Sequence, residues 1–278
     1  MNMTDFIFNG ECAEAHAGFA FASRSHRYGD GFFESIRVGQ GRLYHWPQHL
    51  ERIHKSAMLL NMQLPESLGT GALEKSILDR CASLNWEHCR LRLSFHRQGD
   101  GLYTPSERGC DWLAEVSPLQ DSNYPWNEAG LKVGNFKELT KNSNYLSALK
   151  TQSALVYVMA GIYAESKGYD EVILYNDFGR VAEGRYSNVF MVSDEFLITP
   201  PISEYGIDGV MRKIVLQLAE AYGYSIHERP VTETDIISAS ELFFTSAIKG
   251  IEWAHNFMGK EYKCSVSRVL HQHLNNQL

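Results

Sequence analysis

Five cysteines, Cys12, Cys81, Cys89, Cys110 and Cys264, are scattered through the 278 residues, odd in number and never in a C-x-x-C pair. That spacing argues against a disulfide framework and a zinc ribbon, and it suits a reducing compartment. Prolines number only 8, and no internal repeat or low-complexity segment is present. An ordinary globular chain is the consequence. No run of lysine or arginine offsets the net charge of −7, so there is no electrostatic footprint for nucleic acid or an anionic membrane. The start, MNMTDFIFNGE, lacks a basic segment followed by an apolar one, and no stretch approaches the roughly 18 apolar residues of a membrane span. A cytoplasmic protein acting on a small molecule is expected. Also missing are G-x-G-x-x-G after a strand, G-x-x-x-x-G-K-[ST] and G-x-S-x-G, which removes the usual nucleotide and hydrolase signatures. His45, His49 and His54 have no carboxylate or cysteine at ligand spacing, and Pro47 lies between the first two. No metal is expected.

What is present centres on the stretch from Lys150 to Asn188. After Lys150, the apolar residues Leu155, Val158, Met159 and Ile162 recur at helical spacing, and Lys167-Gly168 supplies a basic last turn and a C′ glycine. One buried amphipathic helix is predicted. EVILY, the turn NDFG and the resumed strand character of RVAEG and SNVFMV predict a hairpin with Glu183 on its returning arm. A helix and a hairpin arm can bring Lys150 and Glu183, 33 residues apart, to one place. A lysine facing a buried carboxylate across a ring-sized gap is the minimum equipment of a pyridoxal phosphate site. The amine forms the Schiff base and the carboxylate keeps the pyridine nitrogen protonated. On spacing alone, the same two residues also read as solvated surface charges.

The organisation along the chain is mixed. DFIFNGE and GFAFASRSHRYGDGFFESIRVGQGRLYHW read as strands broken at GDG and GQG, HLERIHKSAMLLNM and ALEKSILDRCASL as helices, and CRLRLSF and DWLAEVSP as strands around the loop HRQGDGLYTPSERG. SPLQDSNYPW carries two prolines and no periodicity, which makes it the expected boundary. The expected domains are 1–116, an interdomain loop at 117–127, and 128–278. The later part adds LKVGNF as a strand, the helix RKIVLQLAEAYG, the strand SIHERPV, a helix around TDIISA and the strand ELFFTSA.

Six pieces in order resemble the class IV aminotransferases, the pyridoxal phosphate enzymes of fold type IV: RYGDGFFESIRV at 27–38, HLERIH at 49–54, Lys150 with its helix, AEGRYSNVF at 182–190, ITPPISEYGIDGVMRKIVLQLA at 198–219 and ELFFTSAIKGI at 241–251. The family includes branched-chain and D-amino acid aminotransferases and 4-amino-4-deoxychorismate lyase. The resemblance implies an α+β, two-domain fold with a small N-terminal α/β domain and a larger C-terminal mixed-sheet domain. It also implies bound pyridoxal 5′-phosphate and a homodimer.

Residue by residue, the resemblance makes Lys150 and Glu183 catalytic. Lys141, in KNSNYLSAL, competes for the covalent role, but at 42 residues from Glu183 it would need an extra loop, so it is expected to be a solvated neighbour. Arg52 falls at the phosphate-binding position, and a guanidinium suits a phosphate. The first amides of the helix after Gly209, at Val210 and Met211, point at an anion, and Ser246 and Ala247 in TSAIKG offer further contacts. Phe33, Ser35, Ile248 and Lys249 are expected on the substrate side. Arg97 and Tyr103, on the long loop after CRLRLSF, are expected to act across the dimer, with Arg92 a further candidate. Ser35, Met211 in place of a threonine, and SAIKG without its threonine favour the lyase, which forms 4-aminobenzoate and pyruvate. A transaminase of branched-chain or D-amino acids using 2-oxoglutarate is the alternative, and a catalytically silent dimeric binding protein a second one.

Overall fold

A computed structural model describes residues 4–13 and 23–278. Most of the expected strand GFAFAS lies outside the described residues. The chain divides into two compact units, Met1–Ser122 with Lys150–Ser153, and Asn123–Leu149 with Ala154–Leu278.

The first unit runs β1 (Asp5–Phe8), β2 (Glu11–Ala13), α1 (Arg24–Tyr28), β3 (Gly31–Gly39), β4 (Arg42–Leu43), α2 (Trp46–Leu59), α3 (Glu66–Gly69), α4 (Ala72–Ser83), β5 (His88–Arg97) and β6 (Cys110–Pro118). Its six strands form one sheet in the order β2-β1-β6-β5-β3-β4. Period-two alternation sends Phe32, Ile36, Leu91, Leu93 and Phe95 to one face, where Ile53, Ala57, Leu73 and Ile77 of α2 and α4 cover them. Each such buried side chain contributes roughly 1.5–3 kcal/mol. The opposite face carries Phe33, Ser35 and, across from Ser35 in register, Arg92.

Residues 150–152 join this unit because they extend along the edge of β3. The Phe33 N–H donates to the Lys150 carbonyl at 2.9 Å, and the Gln152 N–H donates to the Gly31 carbonyl at 2.9 Å. Gly31 has no substitute here, since a Cβ would sit 2.3 Å from the Phe95 carbonyl oxygen. The expectation that Lys150 sits wholly within the C-terminal domain is corrected by this pairing.

The second unit runs β7 (Leu131–Lys141), a 3₁₀ turn at Tyr145–Ala148, α5 (Leu155–Lys167), β8 (Glu171–Asn176), β9 (Val181–Gly184), β10 (Asn188–Ser193), β11 (Phe196–Thr199), α6 (Val210–Ala221), β12 (Ser225–Glu228), α7 (Glu233–Ser238), β13 (Glu241–Ser246), β14 (Gly250–Phe257), β15 (Lys260–Glu261) and α8 (Ser265–Asn275). The strands follow the order β12-β11-β10-β13-β14-β7-β8-β9, with β15 on β14. Every residue of β8 is buried, which is why EVILY reads as a continuous apolar run rather than an alternation.

Helix α5 departs from expectation. It begins at Leu155, because residues 150–153 are held in extended form on β3. Its inner stripe is Ala160 and Ala164 with Val156, Tyr157 and Tyr163, packed on Phe136, Val172 and Leu174. The expected buried stripe is exposed instead: Leu155 at 75%, Val158 at 52%, Met159 at 41% and Ile162 at 55%. The small residues let the helix lie close on β7 and β8, which leaves the bulky ones outward. Among the described residues no helix is long and apolar enough to cross a membrane.

Candidate active site

Glu183 lies on β9, opposite Leu174 of β8, and is 2% exposed. A buried carboxylate must be paired or hydrogen-bonded, and this one is both. Its Oε1 accepts from Lys141 Nζ and from the Tyr157 hydroxyl, each at 2.7 Å, and its Oε2 accepts from the Ile207 N–H at 2.8 Å. Burial, followed by the charge of Glu183, pushes the Tyr157 phenol well above its ordinary value. The phenol therefore stays protonated and donates. The loop carrying Ile207 reaches β9 because Gly206 has no side chain; a Cβ there would stand 2.6 Å from the Ala182 carbonyl oxygen.

Lys141 is the main correction to the sequence reading. It is 4% exposed rather than solvated, and its ammonium donates to Glu183, to the Ser147 carbonyl at 3.1 Å and to the Tyr157 oxygen. Three partners match the three N–H groups of an ammonium, so this nitrogen is fully occupied. Direct contact with Glu183 also leaves no room for a pyridine ring between them. Both facts weigh against Lys141 as the covalent lysine.

The same loop leads into α6. Gly209 precedes the helix, and no side chain caps it, so the first amides, at Val210 and Met211, have no partner within the helix. Both residues are buried. Asn188 of β10 ties this end to the sheet, its Nδ2 donating to the Ile207 carbonyl at 2.8 Å. A Cβ on Gly209 would lie 1.8 Å from Asn188 Oδ1, so only glycine allows the approach. Opposite Asn188 in register stands Thr245 of β13, whose buried hydroxyl has no partner among the described residues. Helix amides, an unpartnered hydroxyl and a buried carboxylate on one connected frame suit a ligand with an anionic group at one end and a basic ring nitrogen at the other. Pyridoxal phosphate has that form, and these residues fit it.

Ser246, expected to offer its hydroxyl, accepts from the Lys249 N–H at 3.2 Å and so closes its own turn. The Ala247 carbonyl accepts from the Tyr124 hydroxyl at 3.3 Å. Lys249 is exposed and stands 3.8 Å from Glu252, and Ile248 is half-buried in the same turn.

In the first unit, Lys150 Nζ lies 4.6 Å from the centre of the Phe33 ring, and the Arg92 guanidinium lies 3.5 Å from the same ring. Arg92 also donates to Gln152 Oε1 at 3.1 Å. Lys150, Phe33, Ser35 and Arg92 are thus gathered in one unit, and Glu183, Val210, Met211 and Thr245 in the other. Within the second unit, the Ala148 carbonyl accepts from the Asp208 N–H at 3.1 Å, next to the Ile207 that holds Glu183.

Arg52 and Arg97 both have structural employment. Arg52 Nε donates to Glu34 Oε1 at 2.8 Å and Nη2 donates to Oε2, while the His49 imidazole Nδ1 meets Oε2 at 2.6 Å. Burial would raise the Glu34 carboxyl, but the charge and hydrogen bonds of Arg52 and then His49 outweigh it and hold the group at about 2. Arg97, expected to reach substrate, gives Nε to Asp30 at 3.0 Å, Nη1 to the Asn61 carbonyl at 3.0 Å and Nη2 to the Leu60 carbonyl at 2.6 Å. Its guanidinium is a clamp between β5 and the end of α2. Arg24 Nη1 grips the loop that follows, through the carbonyls of Asp100, Gly101 and Leu102. Tyr103 at the loop tip is 89% exposed.

Sequence reasoning missed Tyr157, Lys141 as a partner of Glu183, and the Ile207 amide. A signal for the first was present: Tyr157, Ala160 and Ala164 share one helical stripe, where a phenol facing inward beside small residues needs a polar partner. An amide donor carries no sequence signal.

Known proteins resemble this chain over most of its length. The family model described as "Amino-transferase class IV" matches residues 31–252. An aminodeoxychorismate lyase of Vibrio harveyi is 27% identical over 236 residues, covering 82% of this chain and 83% of its own. A putative branched-chain-amino-acid aminotransferase of Methanocaldococcus jannaschii is 30% identical over 227 residues, covering 78% and 75%. Among solved structures, the 4-amino-4-deoxychorismate lyase of Pseudomonas aeruginosa superimposes with a TM-score of 0.80 at 25% identity, over 98% of this chain and 97% of its own.

Proposed function

Because the chain belongs to the class IV aminotransferases, and is accordingly a pyridoxal phosphate-dependent enzyme of fold type IV, we propose that Lys150 carries the cofactor and that the enzyme is a 4-amino-4-deoxychorismate lyase. The observation that carries the site assignment is Glu183, buried and fixed on both oxygens, with the lysine that touches it, Lys141, fully occupied. When bound, the cofactor supplies an electron sink. Glu183 holds a proton on the ring nitrogen. The amides of Val210 and Met211 and the hydroxyl of Thr245 hold the phosphate, a role the family resemblance also gives to Arg52, whose orientation Glu34 fixes. Lys150 Nζ takes and returns the proton at the substrate's reacting carbon. Arg92, beside Phe33 and Ser35, orients a substrate carboxylate.

The lyase reading is supported by Ser35 on the substrate-side face, by Met211 at the head of α6, and by similarity to the Vibrio harveyi enzyme. Incubation with aminodeoxychorismate should release 4-aminobenzoate and pyruvate, beside parallel reactions of branched-chain amino acids and D-alanine with 2-oxoglutarate. Turnover only in the parallel reactions would establish the transaminase alternative, which the Methanocaldococcus jannaschii relative favours. Borohydride reduction and peptide mapping should find the cofactor on Lys150; a tag on Lys141 would overturn the assignment.

The proposal includes a homodimer. A helix that is apolar on all sides is a buried helix, yet α5 presents Leu155, Val158, Met159 and Ile162 outward. A second copy of the chain would cover them, with the tip residues Leu102 and Tyr103 resting on the partner's active site. Light scattering should give twice the chain mass, and Val158→Asp with Ile162→Lys should halve it. Mixing Lys150→Ala and Tyr103→Ala proteins should restore one working site per hybrid dimer. No recovery despite subunit exchange removes the trans contact. We assign the enzyme to the cytoplasm on its five free thiols, one of them, Cys12, exposed.

A further inference from the structure

We propose that Lys141 is a positioning residue whose ammonium, through Glu183, keeps the shared proton on the cofactor's ring nitrogen. This rests on the reading that Glu183 faces that nitrogen. A proton between a carboxylate and a pyridine can sit on either, giving a charged pair or a neutral one. In a buried site the neutral pair is favoured, because separated charges are costly away from water.

Lys141 reverses that preference. Its Nζ stands 2.7 Å from Glu183 Oε1, in direct contact with the carboxylate. A positive charge there stabilises the carboxylate over the carboxylic acid. The proton is therefore left on the ring, where it strengthens the electron sink. Three further facts make this a built device. The ammonium is buried and its other hydrogens go to Ser147 and Tyr157, so it has no alternative pose. Tyr157 donates to the same Oε1 at 2.7 Å, which adds to the stabilisation of the anion. Oε2 is oriented by the Ile207 N–H, so the carboxylate cannot rotate to escape the charge. Ser147 lies on the 3₁₀ turn between β7 and Lys150, and the same turn therefore leads from the positioning lysine to the covalent one.

The test uses holoenzyme loaded with cofactor carrying ¹⁵N in the ring, in Lys141→Met, Lys141→Arg and Tyr157→Phe variants. Lys141→Met should remain yellow, with borohydride still fixing the cofactor to Lys150, while the ring-nitrogen resonance moves toward the unprotonated position. Its kcat should fall about ten- to a hundredfold, as for the loss of other supporting partners behind a first contact, with KM little changed. Lys141→Arg should restore both the resonance and most of kcat, and Tyr157→Phe should move the resonance less, in the same direction. An unmoved ring nitrogen in every variant that folds overturns the proposal while leaving Lys150 and Glu183 in place. Borohydride tagging of Lys141 in the unaltered enzyme overturns both this proposal and the assignment it rests on.

Discussion

Two buried carboxylates face opposite tasks, one in each unit. Glu34 is held by a guanidinium through two parallel hydrogen bonds and by an imidazole; every partner comes from α2, and the result fastens a helix to a sheet. Glu183 is held on one oxygen by an amine and a phenol and on the other by a backbone amide. Its partners come from β7, α5 and the loop before α6, so it is fixed in direction by three separate elements. An arginine fork closes a carboxylate on itself. Partners that leave lone pairs unoccupied turn a carboxylate into a group that can serve a ligand.

Breaking each cluster should separate the two tasks. The largest effect on activity is expected from Glu183→Gln: turnover falls by roughly 10²–10⁴, with cofactor still bound. Near-normal single-turnover rates would place the working carboxylate elsewhere. Glu34→Gln should act on stability first: leaving Arg52 buried without its charge partner costs about 3–5 kcal/mol, measurable by urea unfolding.

Acid sharpens the same contrast. The folded Glu34 carboxyl is depressed from 4.5 to about 2, so its contribution is complete above 4.5 and lost as pH falls through about 2. The amount is about 3 kcal/mol, and the Glu34→Gln protein should lack this limb of the stability curve. Smallest is His49→Phe, which removes one hydrogen bond to a charged group and should cost ~2 kcal/mol. Burial lowers the His49 imidazole from its ordinary value of 6.5, so the loss should be full above that pH and shrink as pH falls below it, where the unfolded chain binds a proton that the folded one does not; a loss that grows below pH 6.5 would mean that His49 works as a cation.

Much of this was legible in the chain. The hairpin with Glu183 on its returning arm, the glycine before α6 and the strands on either side of the 98–109 loop follow from turn chemistry and period-two patterning, which act locally. The α5 reading found the right helix and the wrong face. Periodicity reports which residues share a stripe, and either stripe of a helix apolar all round can face the sheet; the alanines won because they permit the closer approach. Lys141 was misread because its distance from Glu183 in sequence, 42 residues, says nothing about how β7 and β9 both flank β8. Arg97 was misread because a guanidinium competent for substrate is equally competent for a carbonyl, and Leu60 and Asn61 reach it only through the packing of α2 on β5.

The sequence by itself determined the family, the cofactor and the local elements, since motif order, glycine placement and apolar spacing are properties of neighbours along the chain. Only the tertiary structure decided which charges are paired: Lys141 with Glu183, Arg52 with Glu34, Arg97 with Asp30. The reason is physical. A charge is tolerated inside a protein only beside its partner, and that partner is chosen by which strands and helices come together, over separations that no local pattern records.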